Sequence, residues 1–214
     1  LEVLHAAGVD VTGIGRLAGG QTGQALIFVS TAGENMIVVA GGVNLSLAPP
    51  PVSPAAKVVL AQLETPVATT AAVFEQARAA GAVTVLNAAP ALPEGAALFP
   101  LADVIIVNQT ERASYGALLD GRRLVVTLGA AGASLIESGA ETHVVGEAAR
   151  VVDTTGAGDC FCGVLAAGLA AGAEMLGAMA IANAAAARST ETAGAASSMP
   201  VKFGDPCPST PLRV

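Results

Sequence analysis

VVDTTGAGDCFCGVL, residues 151–165, reads as an apolar strand that runs into a glycine-rich turn, sets one aspartate there and continues as a long apolar helix. Gly156 and Gly158 let the chain turn sharply and bring backbone N–H groups close to a ligand. The helix that follows adds unpaired N–H donors and a positive dipole end. Gly156, Ala157 and Gly158 are therefore the expected anion hole for a phosphoryl group. Asp159 falls in the first helical turn, where it can take a proton from a hydroxyl that attacks phosphorus. A carboxylate of pKa about 4 cannot deprotonate an alcohol beforehand, so the proton moves as the P–O bond forms. In isolation, the same residues read equally as a turn and a helix N-terminal charge.

The surrounding chain supports the first reading. The 214 residues can bury a sizeable core: 53% are hydrophobic and 13% charged, which excludes a disordered chain. Aromatic residues are only 3%, so the core is expected to be Ala-rich helices on Val- and Leu-rich strands, an α/β layer arrangement. A net charge of −7 excludes a dedicated nucleic-acid binder, which needs a basic stripe. Cys160, Cys162 and Cys207 form no disulfide framework and read as structural cysteines of a reducing, cytoplasmic compartment. Residues 160–187 are almost wholly apolar, but Gly172 and Glu174 divide them into two runs too short to cross a membrane. The chain opens on LEVLHAAGVD, which reads as the end of a helix and leads us to expect that a preceding part is missing.

Organisation follows from periodicity and punctuation. ALIFVS (25–30) and MIVVA (36–40) flank TAGEN as a β-hairpin. LAPPPVSP (47–54) is a connector. Strands are expected over 57–64, 83–87, 103–108 and 123–129. A helix should run from Thr65 as N-cap and Pro66 as first residue to a stop at Gly81, with a short helix over about 110–119. ASLIES and THVVG read as an antiparallel pair at a sheet edge, two Ala-rich helices end near Arg188, and the tail GDPCPSTPLRV reads as irregular. In an open α/β sheet, ligands collect beyond the carboxyl ends of the strands. Asn87, Asn108 with Glu111, Thr127 with Gly129, and Asp153 through Asp159 all fall at such ends. No G-x-G-x-x-G follows an early strand, which argues against a nicotinamide-dependent dehydrogenase.

DTTGAGDCFCGVLAAGLAAG (153–172) resembles the C-terminal signature of the ribokinase-like (PfkB) family of sugar and nucleoside kinases. The resemblance extends in order through TGQALIFVSTAGENMIVVAGGVN (22–44), LAQLETP, VLNAAPA, VNQTE, VTLGAAGA and NAAAARSTETAGAASSMP (183–200). It implies a single ribokinase-like α/β/α domain over residues 1–214, with a mostly parallel sheet and residues 22–44 forming a β lid. It implies ATP-dependent phosphorylation of a sugar hydroxyl, with O5 of D-ribose the expected acceptor. Fructose, a ketodeoxy sugar acid or a nucleoside are alternatives, as is a nucleotide-binding chain without catalysis.

Asp159 would be the catalytic base and a sugar contact, with Gly156, Ala157 and Gly158 as anion hole. Asn108, Thr127, Gly129 and Asn183 would bind ATP, and Glu64 the sugar. Glu111 would serve Mg²⁺, although alone it reads equally as a helix N-terminal charge. Asp153, Thr155, Ser189, Thr192, Gly194 and Ser198 would surround a monovalent cation such as K⁺. The partners implied are a small sugar and ATP, with a homodimer through the lid sheet. Two departures stand out. The family's N-terminal strands with their sugar-gripping Gly-Gly-x-x-Asn motif are not found, and TERASYGALLDGRRLVV (110–126) is short.

Overall fold

The structure is a computed structural model that describes residues 1–29 and 35–200. A short helix α1 (Glu2–Ala6) precedes a two-stranded antiparallel sheet, β1 (Gln24–Val29) and β2 (Asn35–Ala40), in register Leu26 to Val38. A six-stranded sheet follows in the order β3 (Val58–Ala61), β4 (Val83–Asn87), β5 (Val104–Asn108), β6 (Leu124–Thr127), β7 (Gly132–Glu137), β8 (Ala140–Val145). The pairs from β3 to β6 are parallel. This is the mixed α/β fold with a mostly parallel sheet that the sequence predicts. The helices are α2 (Val67–Ala79), α3 (Gln109–Tyr115), α4 (Ala157–Ala170) and α5 (Met175–Ser189). No helix among the described residues is long and apolar enough to cross a membrane.

Among the described residues the chain divides into two compact units, residues 1–127 with 134–142, and residues 128–133 with 143–200. In the first, β5 is a continuous apolar run and β4 is apolar apart from the buried Thr84, and Val85, Leu86, Val104 and Val107 are fully buried. Phe74 of α2 and Phe99 complete this core, each stabilising by roughly 2–3 kcal/mol relative to an exposed ring. In the second, α4 packs on α5. Gly168 permits the approach, since a Cβ there would lie 3.1 Å from that of Ala178.

Several boundaries differ from expectation. Residues 151–153 are not a strand: the amides of Val152 and Asp153 both donate to the Thr190 carbonyl, and Val151 and Val152 are exposed. β3 ends at Ala61 because the chain turns, with the Leu63 amide donating to Ala89 and the Gln62 side chain accepting from the Glu64 amide. α2 starts one residue late, with Pro66 as N-cap, and the Thr65 hydroxyl lies 3.3 Å from that of Thr70 instead of capping. It stops as expected, with Gly81 at φ +77° and its amide donating to Arg78. The short helix breaks at Gly116 (φ +51°) and continues as a 3₁₀ turn over Gly116–Leu119. Ser138 (φ +52°) and Gly139 (φ +79°) form the tight turn between β7 and the edge strand β8. Residues 31–34 of TAGEN, the tail and Cys207 lie outside the described residues, whereas Cys160 and Cys162 are buried and free of disulfides.

Candidate active site

In the first unit, parallel strands deliver polar residues to their carboxyl ends. Asn108 and Thr127 are register partners, ending β5 and β6. Asn108 is also the N-cap of α3. Its Oδ1 accepts from the Glu111 amide at 2.8 Å, while Glu111 Oε2 accepts from the Asn108 amide at 2.8 Å. This reciprocal pair is a capping box, the local reason that Asn and Glu stand three apart at a strand-to-helix junction. Glu111 is buried, and that burial pushes its carboxyl up, offset in part by the Asn108 bond. Glu64 is exposed in the turn after β3.

In the second unit, Gly156 adopts φ +80° and ψ 0° and is the N-cap of α4, with no side-chain cap. A Cβ there would lie 3.1 Å from that of Ala195, so both conformation and space require glycine. The Ala157 amide donates to Thr154 at 3.2 Å and the Cys160 amide to Gly156 at 2.9 Å. Among the described residues, the amides of Gly158 and Asp159 have no hydrogen-bond acceptor. The Asp159 carboxylate is exposed and unpaired among them. An unengaged carboxylate and open amides thus share the first turn of a fourteen-residue helix.

The candidate cation residues are partly gathered. The Asp153 carboxylate accepts from the Thr155 amide at 2.9 Å through Oδ1 and from the Gly194 amide at 2.9 Å through Oδ2. The Gly194 bond, followed by those from Thr155, holds its pKa down to about 2. Ser189 and Ser198 donate to the carbonyls of Ala186 and Ala195, and Thr192 is exposed. Among the described residues no three His, Cys, Asp or Glu side chains gather as a metal cluster. Gly129 takes φ +59° just after β6. Asn183 is buried, and its Nδ2 donates to the Val144 carbonyl at 3.1 Å. Sequence reasoning missed that bond, because a mid-helix Asn carries no signal of which strand it meets. It also missed Tyr115, whose hydroxyl accepts from the Leu92 amide at 3.0 Å.

The family model for pfkB family carbohydrate kinases matches residues 1–202. The ribokinase of Staphylococcus aureus is 34% identical over 186 residues, 76% of this chain and 61% of that protein. The chain thus spans less than two thirds of that relative. The solved ribokinase of Cryptococcus neoformans in complex with ADP superposes with a TM-score of 0.81 at 29% identity, over 93% of this chain and 75% of that one. The Arabidopsis thaliana ribokinase complexed with ribose and ATP gives 0.79 at 25% identity, over 92% and 74%.

Proposed function

This chain belongs to the pfkB family of carbohydrate kinases, and we propose that it transfers the γ-phosphoryl group of ATP to a sugar hydroxyl, O5 of D-ribose. The observation that carries the reading is Asp159: an exposed, unpaired carboxylate beside the open amides of α4, entered through a left-handed glycine. The sugar hydroxyl attacks the γ-phosphorus, the bond to the β-phosphate oxygen breaks, and the hydroxyl proton passes to Asp159 as the new bond forms. The amides of Gly156, Ala157 and Gly158 bind the developing charge, that of Ala157 by exchanging the Thr154 carbonyl for the anion. Asn108, Thr127, Gly129 and Asn183 hold the nucleotide, and Glu64 the sugar. The solved relatives bound to ADP, and to ribose and ATP, support these substrate classes.

The residues present fit the two cations such kinases take. Glu111 retains a carboxylate oxygen outside the capping box, and hard oxygen donors suit Mg²⁺. The ionised Asp153, with Thr155, Ser189, Thr192, Gly194 and Ser198, offers a carboxylate, hydroxyls and backbone carbonyls to a monovalent ion. When bound, the ions would offset charge on the phosphates and in the anion hole. The lid over residues 22–44 exposes Leu26, Phe28, Val38 and Val39, each at least half exposed. We propose that a second copy covers them in a cytoplasmic homodimer, which sedimentation will show as twice the chain mass.

The test is ADP release with ribose, fructose, ketodeoxygluconate or adenosine, with Mg²⁺ and K⁺. Ribose-dependent turnover that disappears in Asp159→Ala supports the reading. ATP binding without turnover on any acceptor overturns it in favour of a nucleotide-binding chain.

A further inference from the structure

Tyr115 stands four residues after Glu111, on the same face of α3. It is buried, 5% exposed, with its ring edge-on to Phe99 at 5.0 Å. Its hydroxyl accepts the Leu92 amide, 23 residues away in the segment after β4. That segment is bonded at its other end, where Ala89 accepts the Leu63 amide at 3.0 Å. Gly95, whose amide donates to Leu92, fits into the same packing. A Cβ on Gly95 would lie 2.6 Å from Leu63 Cδ1 and 3.1 Å from the Tyr115 hydroxyl. Leu63 is itself buried, 3% exposed, and Glu64 follows it directly.

We propose that Tyr115 is a positioning residue that, through Leu92, Gly95 and Leu63, sets the place of Glu64 for the sugar. The idea rests on the kinase reading above and deepens its sugar half. The contacts form one short path from α3, which carries the Asn108–Glu111 cap, to the turn that carries Glu64. Only a glycine leaves room for it at residue 95. Burial raises the Tyr115 pKa, offset in part by the Leu92 amide and helped by Glu111 and Glu94, so the phenol stays protonated and neutral near pH 7. A neutral hydroxyl can accept the Leu92 amide without adding a second negative charge beside Glu111.

The experiment compares the parent with Tyr115→Phe, which keeps the ring, and with Gly95→Ala, which disturbs the path at a second point. In Tyr115→Phe the KM for ribose rises about five- to tenfold, while kcat and the KM for ATP stay within about twofold. Gly95→Ala changes the same constant in the same direction. Hydrogen exchange speeds at the Leu63 amide as well as at Leu92. A ribose KM unchanged in both variants, or faster exchange at Leu92 alone, overturns the proposal and leaves Tyr115 a packing residue. A parent without sugar turnover sinks the kinase reading instead, and the positioning role falls with it.

Discussion

The β5–α3 junction and the turn into α4 both open a helix where ligands are expected, yet they are built in opposite ways. At β5–α3 the side chains do the capping. Asn108 and Glu111 each satisfy the other's backbone amide at 2.8 Å, and Glu111 is buried in doing so. At α4 the backbone makes the turn. Gly156 supplies a left-handed conformation, no side chain caps the helix, and Asp159 is left exposed. The difference separates two duties. A capped helix end spends its polar groups on stability, whereas a glycine-built end leaves amides and a carboxylate for chemistry at a cost in conformational freedom. Changing Asp159 should therefore harm turnover and spare folding, whereas changing Asn108 should destabilise the fold.

The largest expected effect is at Asp159. Asp159→Asn removes the proton acceptor and keeps the size, so kcat should fall about 10²- to 10⁴-fold. The urea midpoint should stay near that of the parent, since the side chain bonds nothing among the described residues. A large stability loss with little loss of kcat would reverse the contrast. Gly156→Ala comes next. A side chain at φ +80° costs about 1–2 kcal/mol, and its Cβ would crowd Ala195. Gly158→Ala is the control: its φ is not left-handed and nothing lies within 4 Å of the added Cβ. Urea unfolding should rank Gly156→Ala well below Gly158→Ala, and equal midpoints would remove the left-handed turn from the account.

Asn108→Ala should cost about 1 kcal/mol by loss of the N-cap. Glu111→Gln should cost less, because glutamine also completes a capping box. Because Glu111→Gln keeps the cap, its kcat reads the charge at Glu111 apart from structure. A twofold or smaller change in kcat for Glu111→Gln would confine this carboxylate to capping.

Much of this contrast is legible in the sequence. Apolar runs, broken only by Thr84 in β4, mark β4 and β5 to within a residue, because strands buried in a parallel sheet are apolar on both faces. The spacing of Asn108 and Glu111 and the glycines around Ala157 are local signals. Position 151 is where local reading fails. Val151-Val152 has strand composition, but the amides of Val152 and Asp153 meet Thr190, 38 positions on from Val152, and no periodicity encodes that partner. The same holds for the 3₁₀ stretch Pro93–Leu101, which places Leu98 and Phe99 in the core. Tyr115 and Asn183 act on backbone groups 23 and 39 residues away. Such bonds are set by packing rather than by neighbours.

The smallest effect concerns Asp153, a side chain that steadies the glycine-built end. Asp153 stands to that turn as Asn108 stands to α3, but it lies before the turn and ties Thr155 to Gly194. Its folded pKa is held to about 2 against an ordinary 3.8, mainly by the Gly194 amide. A depressed carboxylate stabilises the fold in full above about pH 4, and the contribution is lost as pH falls towards 2. The carboxylate lies near the surface, where solvent screening keeps the effect modest. In buffer free of K⁺ and Na⁺, Asp153→Asn should unfold at lower urea than the parent at pH 6. The two midpoints should converge between pH 4 and pH 2 as the parent carboxylate protonates. A gap that stays constant over that range would mean that asparagine fails for shape rather than charge. The glycine-built end would then be steadied by packing alone, and its contrast with the capped helix would be complete.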